Sequence, residues 1–290
     1  MDAARSYRFT VGDIECIAVA DGTLPYAADD LFVNAPKEQA ERVVREHDLR
    51  PDEIPISYTG LVINTGRQHL LVDTGLGAGV APGAGEMLNN LRAEGIRPED
   101  IDTIILTHGH PDHIGGNIGS DGKPSFPNAR YVMWKGELDF WTSETTLGKL
   151  EAGQVHGDPE LDGMMSTFAR NHLLPIQSQI EVIERETEIA AGVHAIPAPG
   201  HTPGHLALLI SSGAEQALHL ADSVVHPIHL EQPEWYPLFD LEPEQAASTR
   251  RKLLDRAAAE GAPILAYHFP FPSVGHVSQK GDGWQWEPIE

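Results

Sequence analysis

Residues 103–113 read Thr103-Ile104-Ile105-Leu106-Thr107-His108-Gly109-His110-Pro111-Asp112-His113, an apolar run that ends in three imidazoles and a carboxylate within six positions. A short β-branched run bounded by turn formers is the pattern of a buried strand. Polar groups gathered on the loop beyond such a strand sit where rigid scaffolds place functional residues. Gly109 and Pro111 favour a tight turn that brings residues two apart onto one side, and Gly115-Gly116 would let the backbone approach a helix start closely. Neutral imidazole nitrogen and carboxylate oxygen are the donors that borderline cations such as Zn²⁺ prefer. In a core without partners, four such groups aimed at one point would carry a heavy desolvation cost.

Working outward, three further apolar runs end in the same residue types. Pro199-Gly200-His201-Thr202-Pro203-Gly204-His205 follows the run Val193 to Pro197. Leu218-His219-Leu220-Ala221-Asp222 closes in a lone carboxylate, and Ala266-Tyr267-His268 closes the last core strand. His205 is expected to pack structurally, and His219, on the opposite strand face from Asp222, to take no part in chemistry.

The rest of the chain supplies a frame for these loops. Tyr7 to Thr10 and Ile14 to Ala20 read as a hairpin, with a loop over residues 21–36 and a helix over Lys37 to His47. Gly60 to Asn64 and His69 to Asp73 form a second hairpin-like pair, followed by a helix at Met87 to Glu94. Tyr131 to Trp134 is a strand, with helices at Glu137 to Trp141 and Leu161 to His172. The second half repeats the grammar: strands at Val193, Leu206, Ala217 and Pro263, and a long helix from Pro243 to Glu260 stopped by Gly261. Gly283 to Pro288 reads as a terminal edge strand. Strand pairs flanked by helices, once in each half and with no linker between, predict one α/β unit over residues 1–290. The predicted architecture is two mixed sheets face to face with helices on the outer faces.

Composition narrows the function classes. The chain of 290 residues carries 43 acidic against 20 basic residues, a formal charge of -23, which repels nucleic acid and acidic lipid surfaces. No Lys/Arg cluster offers a local basic face for phosphates. Cys16 is the single cysteine, so an internal disulfide and a cysteine-rich metal site are both excluded. The opening MDAARSYRFT lacks the apolar stretch of a secretory signal, and no run approaches the length of a membrane span. A cytoplasmic protein acting on a small molecule is expected.

The motif His108, His110, Asp112, His113, together with Gly200-His201-Thr202-Pro203-Gly204-His205, resembles the metallo-β-lactamase superfamily, and the likeness runs over nearly the whole chain. It includes Leu71-Val72-Asp73-Thr74-Gly75, which is similar to that family's early strand-end aspartate. The resemblance implies an αββα four-layer sandwich. It implies one metal held by His108, His110 and His201, a second by Asp112, His113 and His268, and Asp222 bridging the two. Asp73 would then order the histidine loop through hydrogen bonds rather than ligate. Two divalent ions are implied, zinc first, with Mn²⁺, Co²⁺ or Fe²⁺ also fitting the donors. The implied chemistry is that of a dinuclear hydrolase: a bridging hydroxide attacks an ester-type electrophile, with Asp112 as the catalytic residue that orients it or moves its proton.

Within the superfamily, Tyr267 to His276 resembles the methyl parathion hydrolase branch, with quorum-quenching lactonases as near relatives. Those lactonases usually carry a tyrosine three residues past the bridging aspartate, where this chain has Val225. Lactones, aryl esters and organophosphate triesters are the candidate substrates. A glyoxalase-II-like thioesterase shares the ligand set but adds a basic C-terminal region not seen here. An iron-dependent oxidoreductase of the same fold, or a module whose metals only stabilise it, are the other readings. Phe32, Trp141, Trp235, Tyr236 and Phe269 are expected to wall an apolar pocket, and Asn34, Ser223 and His226 to support the ligands. By analogy with its branch the chain is expected to form a homodimer, with the loop over residues 21–36 exchanging across the interface.

Overall fold

Strict alternation along the strands sends neighbouring side chains to opposite faces, and this sorting builds the layers. The computed structural model describes residues 5–289; residues 1–4 and 290, included above in the unit and in the opening stretch, lie outside the described residues. Ser6–Val11 (β1), Ile14–Tyr26 (β2), Ile54–Asn64 (β3) and His69–Val72 (β4) pair antiparallel in succession. Thr103–Ile105 (β5), Arg130–Trp134 (β6) and Ile180–Ile183 (β7) then add parallel strands. The second sheet holds Thr187–Ala190 (β8), Val193–Pro197 (β9), Leu206–Ser212 (β10), Glu215–Ala221 (β11), Ile264–Ala266 (β12), Val274–Lys280 (β13) and Gly283–Pro288 (β14). It is ordered β14-β13-β12-β11-β10-β9-β8, antiparallel except where β11 meets β12.

The helices are Ala28–Leu31 (α1), Lys37–Glu46 (α2), Met87–Ala93 (α3), Pro111–Ile114 (α4), Lys135–Thr142 (α5), Glu144–Glu151 (α6), Pro159–Phe168 (α7), Ile228–Glu231 (α8) and Pro243–Glu260 (α9). Between the sheets lie Cys16, Leu61, Leu70, Val72, Ile105 and Val132 from the first and Ala195, Leu208, Ile210 and Leu265 from the second. Their strand neighbours Ile17, Val62, Leu71, Ile104 and Tyr131 face outward onto Val43, Leu91, Trp141, Leu147 and Met165 of the helices. On the far side Leu218, Leu220 and Ile264 meet Leu253, Leu254 and Ala257 of α9. The result is helix, sheet, sheet, helix, the predicted four layers. No helix among the described residues is long and apolar enough to cross a membrane.

Four departures from the sequence reading have physical causes. Residues 21–26, expected to be loop, continue β2 through a register shift at Ala20/Gly22. Asp21-Gly22 reads as a turn, but the Asp21 carboxylate points inward and accepts the backbone N–H groups of Leu76, Gly85 and Met87. β3 starts at Ile54, six residues before the apolar run that announces it. β7, β8 and β13 were absent from the reading because residues such as Glu181, Glu188 and Gln279 break their apolar pattern. Finally, Gly115 and Gly116 serve close approach to the loop after β4 rather than to a helix start. A Cβ there would stand 2.0 Å from the Leu76 carbonyl oxygen and 2.1 Å from that of Thr74.

β4, β5, β11 and β12 point their carboxyl ends to one edge of the sandwich, and β9, antiparallel to β10 and so parallel to β11, joins them. Asp73, the loop 107–113, the loop 199–205, Asp222 and His268 all emerge there. Asp73 (φ 60°) and Ala221 (φ 44°) adopt the left-handed conformation at these exits, a local cost that bends the chain sharply off the strand.

Candidate metal centre

Seven side chains converge at this edge in two sets. His108, His110, His201 and Asp222 form one and Asp112, His113 and His268 the other, with the potential ligand atoms of each set within 4.8 Å of one another. His108 Nε2 and His201 Nε2 each lie 3.0 Å from His110 Nδ1. Asp222 stands between the sets: Oδ2 is 2.9 Å from His268 Nε2 and 3.4 Å from His201 Nε2, and Oδ1 is 3.4 Å from His113 Nε2. Asp112 Oδ2 lies 3.3 Å from His268 Nε2 and 3.5 Å from His113 Nε2.

The outward edges of the imidazoles are anchored, and the anchors assign the protons. His113 Nδ1 donates to Asp73 Oδ2 at 2.8 Å, and His201 Nδ1 to Asp240 Oδ1 at 2.7 Å. His268 Nδ1 donates to the Ser57 carbonyl at 3.0 Å. His108 Nδ1 donates to Thr107 Oγ1 at 3.0 Å, and that hydroxyl in turn donates to Asp73 at 2.8 Å. In His108, His113, His201 and His268 these anchors favour tautomers whose inward nitrogens are free to offer a lone pair to a cation. His113 Nε2 and Asp222 Oδ1 are buried with no hydrogen-bond partner, which is the state of a ligand atom rather than of a core polar group. The donor set therefore fits a dinuclear metal site.

Electrostatics point the same way. Burial opposes a charge on His113 and His268, yet Asp222 and Asp112 outweigh it and hold both rings above the usual histidine range. Burial also opposes charge on Asp222, but His268 and His113 hold it well below the usual carboxylate range. His108 and His110 are driven well below the histidine range by burial and by the neighbouring imidazoles. The carboxylates thus demand positive charge that the His108–His110 side cannot supply as protons.

Several supporting residues escaped the sequence reading. Glu137 of α5 is fully buried and accepts from Gly109 N, Trp141 Nε1, Thr202 Oγ1 and Gly204 N, so one carboxylate ties the loop after β5 to the loop after β9. A glutamate next to Leu138 and one turn from Trp141, on the apolar face of a helix, was the available signal. Asp240 orients His201 and faces the buried Arg250, whose guanidinium is held by the carbonyls of Ser223, Pro233 and Trp235. Nothing local marks Asp240. His205 donates Nδ1–H to the Ala198 carbonyl and accepts the Asp222 backbone N–H at Nε2, fixing the bridge's main chain; burial lowers its pKa to about 3. Tyr267 donates to the Asp112 carbonyl at 2.6 Å and lays its ring on His113.

A cavity of about 230 Å³ opens over the ligands, with His110, Asp112, His201, Asp222 and His268 on its floor. Its walls are apolar: Leu24, Ile56, Leu76, Val80, Met164, Met165, Val225 and Phe239, broken by the hydroxyl pair of Tyr26 and Tyr58, 2.6 Å apart. None of the five aromatics expected to wall a pocket lines it. Phe32 packs on His226, His229 and Trp235 in the core, and Phe269 packs on Trp286 behind the second sheet. Trp141 is fully buried against His110, outside the cavity, and Tyr236 lies by Asn34 on another surface. Phe32, Trp141, Trp235 and Phe269 are drawn into the core by their large apolar area. Asn34 bonds Glu234 and Tyr236, and His226 caps the Ile228 N–H, so neither touches a ligand.

The metallo-β-lactamase superfamily model matches residues 55–268, and the chain belongs to that superfamily. An N-acyl homoserine lactonase from a Bacillus species is 31% identical over 126 residues, 43% of this chain and 39% of that protein. The N-acyl homoserine lactonase of Bacillus thuringiensis is 25% identical over 181 residues, 62% of this chain and 60% of that protein. The chain thus spans from about two fifths to three fifths of the length of these curated relatives. Among solved structures, the dizinc quorum-quenching lactonase AidC superposes with a TM-score of 0.89 at 25% identity, over 100% of this chain and 99% of that one. The hydrolase AbOPH of the β-lactamase superfamily gives 0.90 at 28% identity, over the same shares of the two chains.

Proposed function

We propose that this protein is a dinuclear metal-dependent hydrolase of an ester-type bond, with lactones bearing an apolar acyl chain as the first substrate class and aryl esters and phosphotriesters behind them. The observation that carries this is the pairing of two convergent ligand sets with an apolar cavity directly above them. His108, His110 and His201 would hold one divalent ion, Asp112, His113 and His268 the other, with Asp222 shared. Ions bound there supply Lewis acidity and lower the pKa of coordinated water toward neutrality. Zinc is the proposed metal, supported by the nitrogen-rich donor set and by the dizinc composition of AidC.

The chain's own residues do the rest. Asp112 keeps its side chain 17% exposed while the histidines beside it are buried, so it is the carboxylate that can meet a water or a substrate proton from the cavity side. It is held for that work by α4 and by the Tyr267 hydroxyl on its carbonyl. Leu24, Ile56, Met164, Met165 and Phe239 exclude water from the acyl portion and orient the ester group downward. With Val225 in the wall, the Tyr26–Tyr58 pair supplies the hydroxyl groups that face the cavity.

The test is a hydrolysis panel of acyl lactones, aryl esters, phosphotriesters and β-lactams on protein of known metal content. Turnover should be highest for lactones with an apolar chain and absent for β-lactams. Equal turnover of short and long acyl lactones would remove the role given to the cavity. Hydrolysis of none of the panel by metal-replete protein would remove the reading itself.

A further inference from the structure

Four of the five inward-facing imidazoles have an acceptor behind them; His110 is the exception. Its Nδ1 faces His108 and His201, and its Nε2 is buried with no hydrogen-bond partner among the described residues. A neutral imidazole that offers Nδ1 to an ion carries its proton on Nε2, so a buried donor is left over. An unmatched buried donor is costly, and metal-ligating histidines almost always give that proton to an acceptor.

A second buried ring nitrogen without a partner lies nearby: Nε2 of His156. The two rings have centroids 6.4 Å apart. His156 sits on the loop between α6 and α7, and its side chain is 1% exposed. Its Nδ1 lies 2.5 Å from Asp162 Oδ1, and the same carboxylate accepts the backbone N–H groups of Val155 and His156. Asp162 is itself fully buried on α7. The carboxylate draws the proton of His156 to Nδ1, which leaves Nε2 as an acceptor. The two leftover nitrogens are therefore complementary, a donor on His110 and an acceptor on His156.

We infer that His156, oriented by Asp162, is a positioning residue for the metal ligand His110: with an ion bound, its Nε2 would accept the His110 Nε2–H, closing a carboxylate–histidine–histidine relay behind the first ligand set. The relay rests on the dinuclear reading above. It fixes the His110 ring with Nδ1 inward and makes that nitrogen a stronger donor. It also ties the α6–α7 segment, which brings Met164 and Met165 to the cavity wall, to the ion on the floor.

Zinc affinity measured by competition with a chromophoric chelator, together with the visible spectrum of the cobalt-substituted protein, tests this without recourse to activity. His156→Leu should weaken one of the two ions by about 10- to 100-fold and leave the other unchanged. His156→Gln, whose amide oxygen can still accept, should recover most of the loss. Asp162→Asn keeps the size of the side chain and should weaken the same ion, which covers the case in which His156→Leu does not fold. The metal-free His156→Gln protein should melt close to metal-free wild type, whereas metal-free Asp162→Asn, whose amide N–H₂ must face a backbone N–H of Val155 or His156, should melt lower while still unfolding cooperatively. Two ions bound with wild-type affinity in both His156→Leu and Asp162→Asn, or in Asp162→Asn alone where His156→Leu does not fold, would overturn the relay while leaving the dinuclear reading intact. A wild-type chain that takes up no divalent ion would overturn both.

Discussion

Asp222 is the residue on which both sets converge, since its Oδ2 approaches His201 of one set and His268 of the other, and its Oδ1 approaches His113. Replacing it with alanine removes the charge that both ions would share. Asp222→Ala should therefore lower occupancy of both together, as read by elemental analysis of purified protein; loss of a single ion would argue against a bridge. Glu137 works differently, through the two loops it ties. Burial raises its pKa above the usual carboxylate range, against the four donors that favour the charged form. Glu137→Gln turns an amide N–H₂ toward those donors and should cost about 2 kcal/mol in urea unfolding. Unchanged stability would show that the tie is not needed. The histidines and carboxylates of the ligand sets were legible in sequence because each closes an apolar strand. Glu137, Asp240 and Asp162 were not, because a carboxylate's role depends on what lies across from it.

Among the elements, β11 carries an isolated polar group into the layer between the sheets. His219, paired opposite Leu208, is fully buried and neither ring nitrogen has a partner among the described residues; burial lowers its pKa to about 3. In the unfolded chain the same group titrates near 6.5. The folded form thus resists a proton that the unfolded form accepts. Stability from this source is full above pH 6.5 and drains away as pH falls toward 3. His219→Leu should melt progressively higher than wild type as pH is lowered through that window, by scanning calorimetry; a constant gap would refute the burial argument. At the exit of α4, Gly116 meets the Thr74 carbonyl so closely that Gly116→Ala should cost about 3 kcal/mol, seen as a shifted urea midpoint. Among strands, those carrying an apolar run, such as β9 and β10, could be read directly. The extension of β2 could not, because Asp21-Gly22 has turn chemistry and only the N–H groups of Leu76, Gly85 and Met87 explain why the chain runs straight on.

At the scale of the molecule, the two sheets meet at one edge to build the centre, so ion binding and folding are linked. Exhaustive chelation should abolish hydrolysis and lower the melting temperature together, with both restored by Zn²⁺, Mn²⁺ or Co²⁺. Activity that survives chelation would refute a metal mechanism. The formal charge of -23 also predicts self-repulsion in the folded state, relieved by salt. The amino-acid order by itself determined the layers and marked most of the side chains that converge at the edge, because strand patterns and His- or Asp-bearing strand ends are local features carried by neighbours in the chain. It also narrowed the available donors to imidazole and carboxylate, since Cys16 is the single cysteine. Only the tertiary structure decided which residues stand behind the ligands and which wall the cavity. Those choices join residues such as His201 with Asp240, or His110 with His156, across tens of positions, and no local pattern records a contact that only sheet packing creates.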